Sequence, residues 1–139
     1  MAANPGFDQN GQFPLNMVGP RGEGAFLGLE RMFFQGQTGL ISTMYGIPNT
    51  TATRTSTGTY AIQHPSCREV DIIPNVQAPS GMFFQANIVT NNAKTGTAVM
   101  QFFQEALNSS VSSGFGTLID PPTGTQVKLQ FYVNPYGAF

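Results

Sequence analysis

The chain has 139 residues, a length that suits one domain, and only 9% of them are charged, where an ordinary soluble domain has about 25%. The net charge is −1, and the six Lys and Arg residues are spread along the chain. Nucleic-acid binding needs clustered basic residues, so this function is disfavoured. A surface poor in charge suits contact with other proteins, where buried charge is costly. We therefore expect a structural or assembly subunit and not an enzyme.

Residues 1–38 are predicted to form an extended arm. Glycine and proline interrupt any helix or strand there, while recurrent apolar residues are untypical of disorder. The arm would pack on the chain's own domain or on a neighbouring subunit. Within it, residues 25–34 would form a short helix with Phe26, Leu29 and Phe33 on one face, although Gly28 weakens this prediction. The N-terminus lacks the features of a signal peptide and no apolar run is long enough for a membrane span, so we expect synthesis in a cytosol.

Residues 39–139 show the pattern of short strands separated by turns. Strands are predicted at 40–45, 58–63, 69–78, 82–90, 97–106 and 125–133, with further β propensity in the Thr-rich stretch 50–59. The last is the clearest, because Val127, Leu129, Phe131 and Val133 alternate with polar residues. Pro74 implies a bulge or an edge strand. The spacing predicts an all-β fold, an antiparallel β-sandwich or jelly roll.

Few residues are candidates for chemistry. The chain has one Cys and one His, Cys67 and His64, which excludes an internal disulfide and a multi-histidine metal site within one chain. We expect Cys67 to be a buried residue and not a nucleophile activated by His64. Glu69 and Asp71 resemble the solvated side of a strand more than a carboxylate pair for calcium or glycoside chemistry. Asp120 is expected to be a turn residue, and no catalytic residue, cofactor or metal is predicted.

Three Phe–Phe pairs suggest a buried interface. They are Phe33–Phe34, Phe83–Phe84 and Phe102–Phe103. In a strand each pair directs one ring into the core and one outward. The outer rings would be covered by the chain's own arm or, as we favour, by another subunit, because monomers rarely expose large apolar patches. The residues predicted to contact a partner are Phe7, Phe13, Leu15, Phe26, Leu27, Leu29, Phe33, Phe34, Tyr136 and Phe139.

Two segments carry a family resemblance. Arg54-Thr55-Ser56-Thr57-Gly58-Thr59-Tyr60 and Asp120-Pro121-Pro122-Thr123-Gly124-Thr125-Gln126-Val127, with the strands between them, resemble the capsid decoration (cement) proteins of tailed bacteriophages, including cyanophages. The resemblance covers roughly residues 50–134. It implies a jelly-roll-like subunit, often trimeric, that sits outside an icosahedral shell and clamps neighbouring capsomers.

The resemblance sets the functional expectation. The chain would be a structural virion protein that is assembled in the host cytoplasm and bound to the outer capsid surface. Its partners would be the major capsid protein and itself, as a homotrimer, with no nucleic acid, membrane or cofactor. The alternative is a tail, fibre or head-spike subunit whose β-sandwich binds host glycans through Tyr45, Tyr60, Tyr132 or Tyr136.

Overall fold

The computed structural model describes residues 26–104 and 116–134, which form strands joined by turns and loops. In chain order the strands are β1 (Phe26–Phe34), β2 (Ile41–Tyr45), β3 (Thr51–Ser56), β4 (Thr59–Gln63), β5 (Glu69–Gln77), β6 (Gln85–Asn92), β7 (Thr97–Gln104), β8 (Thr117–Leu118) and β9 (Gln126–Asn134).

The strands form two antiparallel sheets that pack face to face. Sheet A has the order β2-β1-β9-β5, and sheet B has the order β3-β4-β7-β6, with the short β8 beside β7. Buried apolar residues from both sheets form one core between them. The predicted antiparallel β-sandwich is therefore confirmed. Four pairs of consecutive strands, β1–β2, β3–β4, β6–β7 and β7–β8, lie next to each other in one sheet. The strand order therefore departs from that of a jelly roll, in which consecutive strands mostly alternate between the sheets.

The segment predicted to be a short helix is strand β1. It lies inside sheet A, paired with β2 on one side and β9 on the other. Its inward residues, Gly28, Glu30, Met32 and Phe34, are all buried. The sandwich therefore includes residues 26–38, and the predicted arm boundary at residue 38 falls after β1. The rest of the predicted arm, residues 1–25, lies outside the described residues.

The core is built on the predicted last strand and on an aromatic cluster. Val127, Leu129, Phe131 and Val133 of β9 have no exposed surface, while Tyr132 between them is exposed. The rings of Phe34, Tyr60 and Phe102 meet edge to face, with centroids 5.4–5.7 Å apart. Such pairs add about 0.5–1.5 kcal/mol each beyond their buried area. This cluster joins β1 of sheet A to β4 and β7 of sheet B.

Each sheet has two edge strands, and the edges differ in how they are protected. Pro74 lies in β5, at the edge of sheet A, as predicted. Proline has no N–H group, so it removes a donor that another strand would need. At the edge of sheet B, the register of β6 shifts between Ile88 and Thr90. Both devices hinder edge-to-edge pairing.

Candidate interaction surface and polar cavity

The outer face of sheet A is the first candidate site. We define it by the outward residues of its four strands, among which five apolar or aromatic side chains stand out: Leu29 and Phe33 on β1, Tyr45 on β2, Ile73 on β5 and Tyr132 on β9. Tyr45, Ile73 and Tyr132 are 51%, 48% and 37% exposed, and Leu29 and Phe33 are half-buried. Apolar side chains thus occur on every strand of this face.

Side chains on neighbouring strands of this face contact or oppose each other in pairs. The rings of Phe33 and Tyr45 stack with centroids 5.6 Å apart and planes 15° apart. Arg31 lies directly across from Lys128, so two positive side chains occupy the centre of the sheet. Glu69 and Asp71 are exposed on the edge strand β5, as predicted for its solvated side. The face therefore combines apolar side chains with a few separated charges.

The residues predicted to bind a partner lie in different parts of the structure. Leu29 and Phe33 lie on the outer face of sheet A. Phe34 was wrongly included, because its side chain is fully buried in the core. Phe26 and Leu27 lie in β1, but their side chains are outside the described part of the structure. Five further residues, Phe7, Phe13, Leu15, Tyr136 and Phe139, also lie outside the described residues.

The inward–outward pattern of the Phe–Phe pairs is confirmed. Phe34, Phe84 and Phe102 are buried, with 0%, 4% and 0% exposure. Phe33 and Phe103 are half-buried on the outer faces, and Phe83 is 70% exposed in the loop before β6. Phe83 is thus the member whose ring is most available to a partner.

Sheet B presents an almost uncharged surface. Arg54 is the one charged residue in its strands β3, β4, β6, β7 and β8. Its outward positions carry mostly Thr, Asn and Gln, with one apolar group at Ala61 and Val99 and a second at Phe103 and its neighbour Leu118, which is 40% exposed. Arg54 itself pairs with the inward residue Tyr60, so it does not lie on this face.

Arg54 forms an ion pair with Asp120. Nε of Arg54 donates to Oδ1 at 3.0 Å, and Nη2 donates to Oδ2 at 2.9 Å. The backbone amide of Gly58 also donates to Oδ1, at 2.8 Å. The Arg54 guanidinium, helped by this amide, holds the pKa of the Asp120 carboxyl below its usual value. The sequence identified Asp120 only as a turn residue, because the two partners are 66 positions apart.

The ion pair lines a cavity of about 430 Å³ at the edge of the sandwich between β2 and β3. Tyr60 closes its inner side, and its buried hydroxyl donates to the carbonyl of Gly39 at 2.7 Å. Burial raises the pKa of Tyr60, so the hydroxyl stays protonated. The proposed glycan contact through Tyr60 is therefore wrong, since its ring has no exposed surface. Tyr45 and Tyr132 are exposed, and Tyr136 lies outside the described residues.

His64 and Cys67 are both buried behind the β6–β7 turn. The amide of Cys67 donates to Ala93 O at 3.0 Å, and burial raises the pKa of its thiol to about 11. Burial also lowers the pKa of His64, against weaker contributions from Pro65 and Asn91. These shifts favour the neutral thiol and neutral imidazole, whereas an activated Cys–His pair has a low thiol pKa. The geometry agrees with the prediction of a buried Cys67.

Sequence reasoning missed Glu30, a buried carboxyl on β1. Only 1% of Glu30 is exposed, and its Oε2 accepts a hydrogen bond from the amide of Ile47. Burial raises its pKa, with the Ile47 amide opposing this. Glu30 therefore fixes the chain where it leaves β2 for sheet B. The sequence did not predict this role, because a charged residue at an inward position interrupts the apolar alternation that marks a buried strand face.

The described residues lack two further kinds of site. They contain no cluster of three or more His, Cys, Asp or Glu side chains able to hold a metal ion. They also contain no helix long and apolar enough to span a membrane.

Comparison of the chain with protein-family models, with curated proteins and with solved structures finds no match.

Proposed function

We propose that this chain is a structural virion protein that decorates and stabilises a bacteriophage capsid by bridging neighbouring major capsid subunits. The observation that carries this proposal is the outer face of sheet A, where apolar side chains occur on all four strands. Exposed apolar surface of this kind is typical of protein–protein contact sites. The family resemblance of residues 50–134 adds the capsid as the partner.

The low charge of the sandwich supports this role. A decoration protein repeats one modest contact at many symmetry-related sites, so avidity supplies the strength of attachment. On the outer face of sheet A the charged side chains are Arg31 and Lys128 at the centre and Glu69 and Asp71 on the edge strand β5. Docking through this face would therefore desolvate few charges, and the two signs are present in equal number.

The decisive measurement is the number of copies of the chain in purified virions of the phage whose genome encodes it. Quantitative mass spectrometry against the major capsid protein should give hundreds of copies per particle. Absence from the virion would overturn the proposal. Dozens of copies or fewer would favour the alternative of a tail, fibre or head-spike subunit, for which exposed Tyr45 and Tyr132 offer glycan-stacking rings.

A matched pair of variants tests the surface. Ile73→Glu places a charge on the apolar outer face of sheet A and should abolish attachment to shells that lack the protein. Asn87→Glu makes the same charge change on the exposed face of sheet B and should attach normally. Equal attachment of both variants would exclude the outer face of sheet A as the contact.

The proposed self-association is tested separately. Light scattering of the purified chain on a sizing column should give the mass of a homotrimer. The mass of a monomer would contradict the proposed homotrimer. The chain would then attach to the shell as single copies.

A further inference from the structure

We propose that the cavity between β2 and β3 binds a neutral carbohydrate, with Arg54 as the hydrogen-bonding residue and Leu40 as an apolar wall. This inference does not depend on the proposed capsid role. It also differs from the expectation of glycan contact through exposed tyrosines, because neither Tyr45 nor Tyr132 lines this cavity.

The cavity has the size and the mixed lining of a small-ligand site. Its volume of about 430 Å³ lies within the range of roughly 300–1,000 Å³ that is usual for such pockets. Hydroxyl, amide and charged groups share the wall with aliphatic side chains. The polar residues that line it are Gln37, Thr38, Thr53, Arg54 and Asp120, and the aliphatic residues are Leu40, Ile41 and Ala52.

The ion pair selects a neutral ligand. The charges of Arg54 and Asp120 offset each other, so an anion that approaches Arg54 also meets the Asp120 carboxylate. The bonds to Asp120 use the Nε–Nη2 edge of the guanidinium. The remaining N–H groups form a second planar edge that can donate to two neighbouring hydroxyl oxygens. Arg54 is 44% exposed on its side chain, so a ligand can reach this edge.

The site is held in shape before any ligand arrives. Asp120 is fixed by the Arg54 fork and by the Gly58 amide. Gly39, next to Leu40, donates to Pro121 O at 2.8 Å and accepts from Tyr60 at 2.7 Å. Pre-organised walls reduce the entropy lost on binding. Leu40 is 48% exposed beside this fixed backbone, where it can contact the C–H face of a sugar ring.

The first experiment is a titration of the full chain, labelled with ¹⁵N, against a panel of neutral mono- and disaccharides, followed by amide chemical shifts. Saturable shifts should cluster at 37–41, 52–54 and Asp120. Shifts confined to residues around Tyr45 and Tyr132, or no saturable shift with any sugar, would overturn the proposal. A stronger response of the same amides to inorganic phosphate would overturn it too, because the site would then bind anions.

Variants locate the binding groups. Arg54→Lys keeps the charge and loses the planar fork, so the affinity for the best sugar should fall about tenfold. Arg68→Lys is the matched control, since Arg68 is exposed and does not line the cavity. Leu40→Ala changes an exposed side chain, so it should weaken binding while the melting temperature stays unchanged. If Arg54→Lys does not fold, Leu40→Ala alone tests the site. Wild-type affinity for the sugar in Leu40→Ala, and in Arg54→Lys where that variant folds, would refute the site.

Discussion

At the residue scale, the described part of the core holds four polar side chains, Glu30, Thr50, His64 and Thr125. Thr125 donates its hydroxyl to Pro122 O at 2.7 Å, and Glu30 accepts the Ile47 amide. The Thr50 hydroxyl and Nε2 of His64 have no hydrogen-bond partner among the described residues. An unpaired buried polar group costs about 1–3 kcal/mol. Replacing an unpaired polar side chain, that of Thr50 or His64, by an apolar one of similar shape should therefore raise the free energy of unfolding.

Thr50→Val is expected to stabilise the protein by about 1 kcal/mol. Valine has nearly the same shape and the same branched β-carbon, so it removes the buried hydroxyl without leaving a cavity. Denaturant unfolding of the two proteins measures the difference. Thr51→Val is the control, because Thr51 is exposed and its hydroxyl is solvated. A destabilised Thr50→Val would show that the Thr50 hydroxyl has a partner in the folded protein.

Glu30 should make stability fall as pH rises. Its folded pKa is raised above the ordinary value of 4.5, so the folded state holds a proton that the unfolded state releases first. Between these two pKa values the free energy of unfolding decreases with pH, and the loss is complete above the folded pKa. Glu30→Gln removes the titration and keeps an oxygen that can accept from Ile47.

The measurement is the difference in unfolding free energy between Glu30→Gln and the wild type as a function of pH. This difference should grow as pH rises above about 4.5 and level off above the folded pKa of Glu30. His64 acts in the opposite direction, since its lowered pKa makes stability fall as pH drops below 6.5, but its contribution cancels in the difference. A difference that is independent of pH would contradict the raised pKa that burial gives Glu30.

At the element scale, β1 shows what the sequence could not predict. Phe26, Leu29 and Phe33 have helical spacing, while the inward side of the actual strand carries Gly28 and Glu30 and so lacks apolar alternation. The strand forms because β2 and β9 pair with it on both sides. By contrast, β9 was predictable, because every second residue is apolar and buried. Local pattern thus predicts the strands whose inward side is uniformly apolar.

The β6–β7 turn gives a prediction about packing between elements. Gly96 has φ of +70°, and a Cβ there would lie 2.1 Å from His64 O, so the turn is pressed against the chain between β4 and β5. Gly81 has φ of +81° with nothing within 4 Å of an added Cβ. Gly81→Ala should cost about 1–2 kcal/mol from backbone strain. Gly96→Ala should cost a further 1–3 kcal/mol from the clash.

Denaturant unfolding of the two alanine variants measures this difference. Equal losses would mean that the turn moves away from His64 freely. In that case the hydrogen bond from the His64 amide to Gly96 O, 2.8 Å long, would not hold the turn in place.

At the scale of the whole molecule, composition and turn spacing were enough to predict a two-sheet sandwich, but not the candidate sites. For the outer face of sheet A, the sequence predicted Leu29 and Phe33 as partner contacts and Tyr45 and Tyr132 as glycan contacts, but it did not predict that strand pairing brings them together with Ile73. The Arg54–Asp120 pair depends on contact between residues far apart in sequence, which no local pattern reports. A site assembled from several strands depends on the order in which the strands pair, and the sequence did not predict that order.

Under the proposed capsid role, attachment of the chain to the shell should survive about 1 M salt. At that ionic strength the Debye length is about 3 Å, so contacts between exposed charges are lost while apolar contacts persist. Arg31 and Lys128 lie side by side on the outer face of sheet A, and salt screens their mutual repulsion. The measurement is the amount of chain that sediments with shells across a salt series. The Ile73→Glu variant is the baseline for lost attachment, and release of the wild type by salt alone would show that charges and not the apolar side chains hold it.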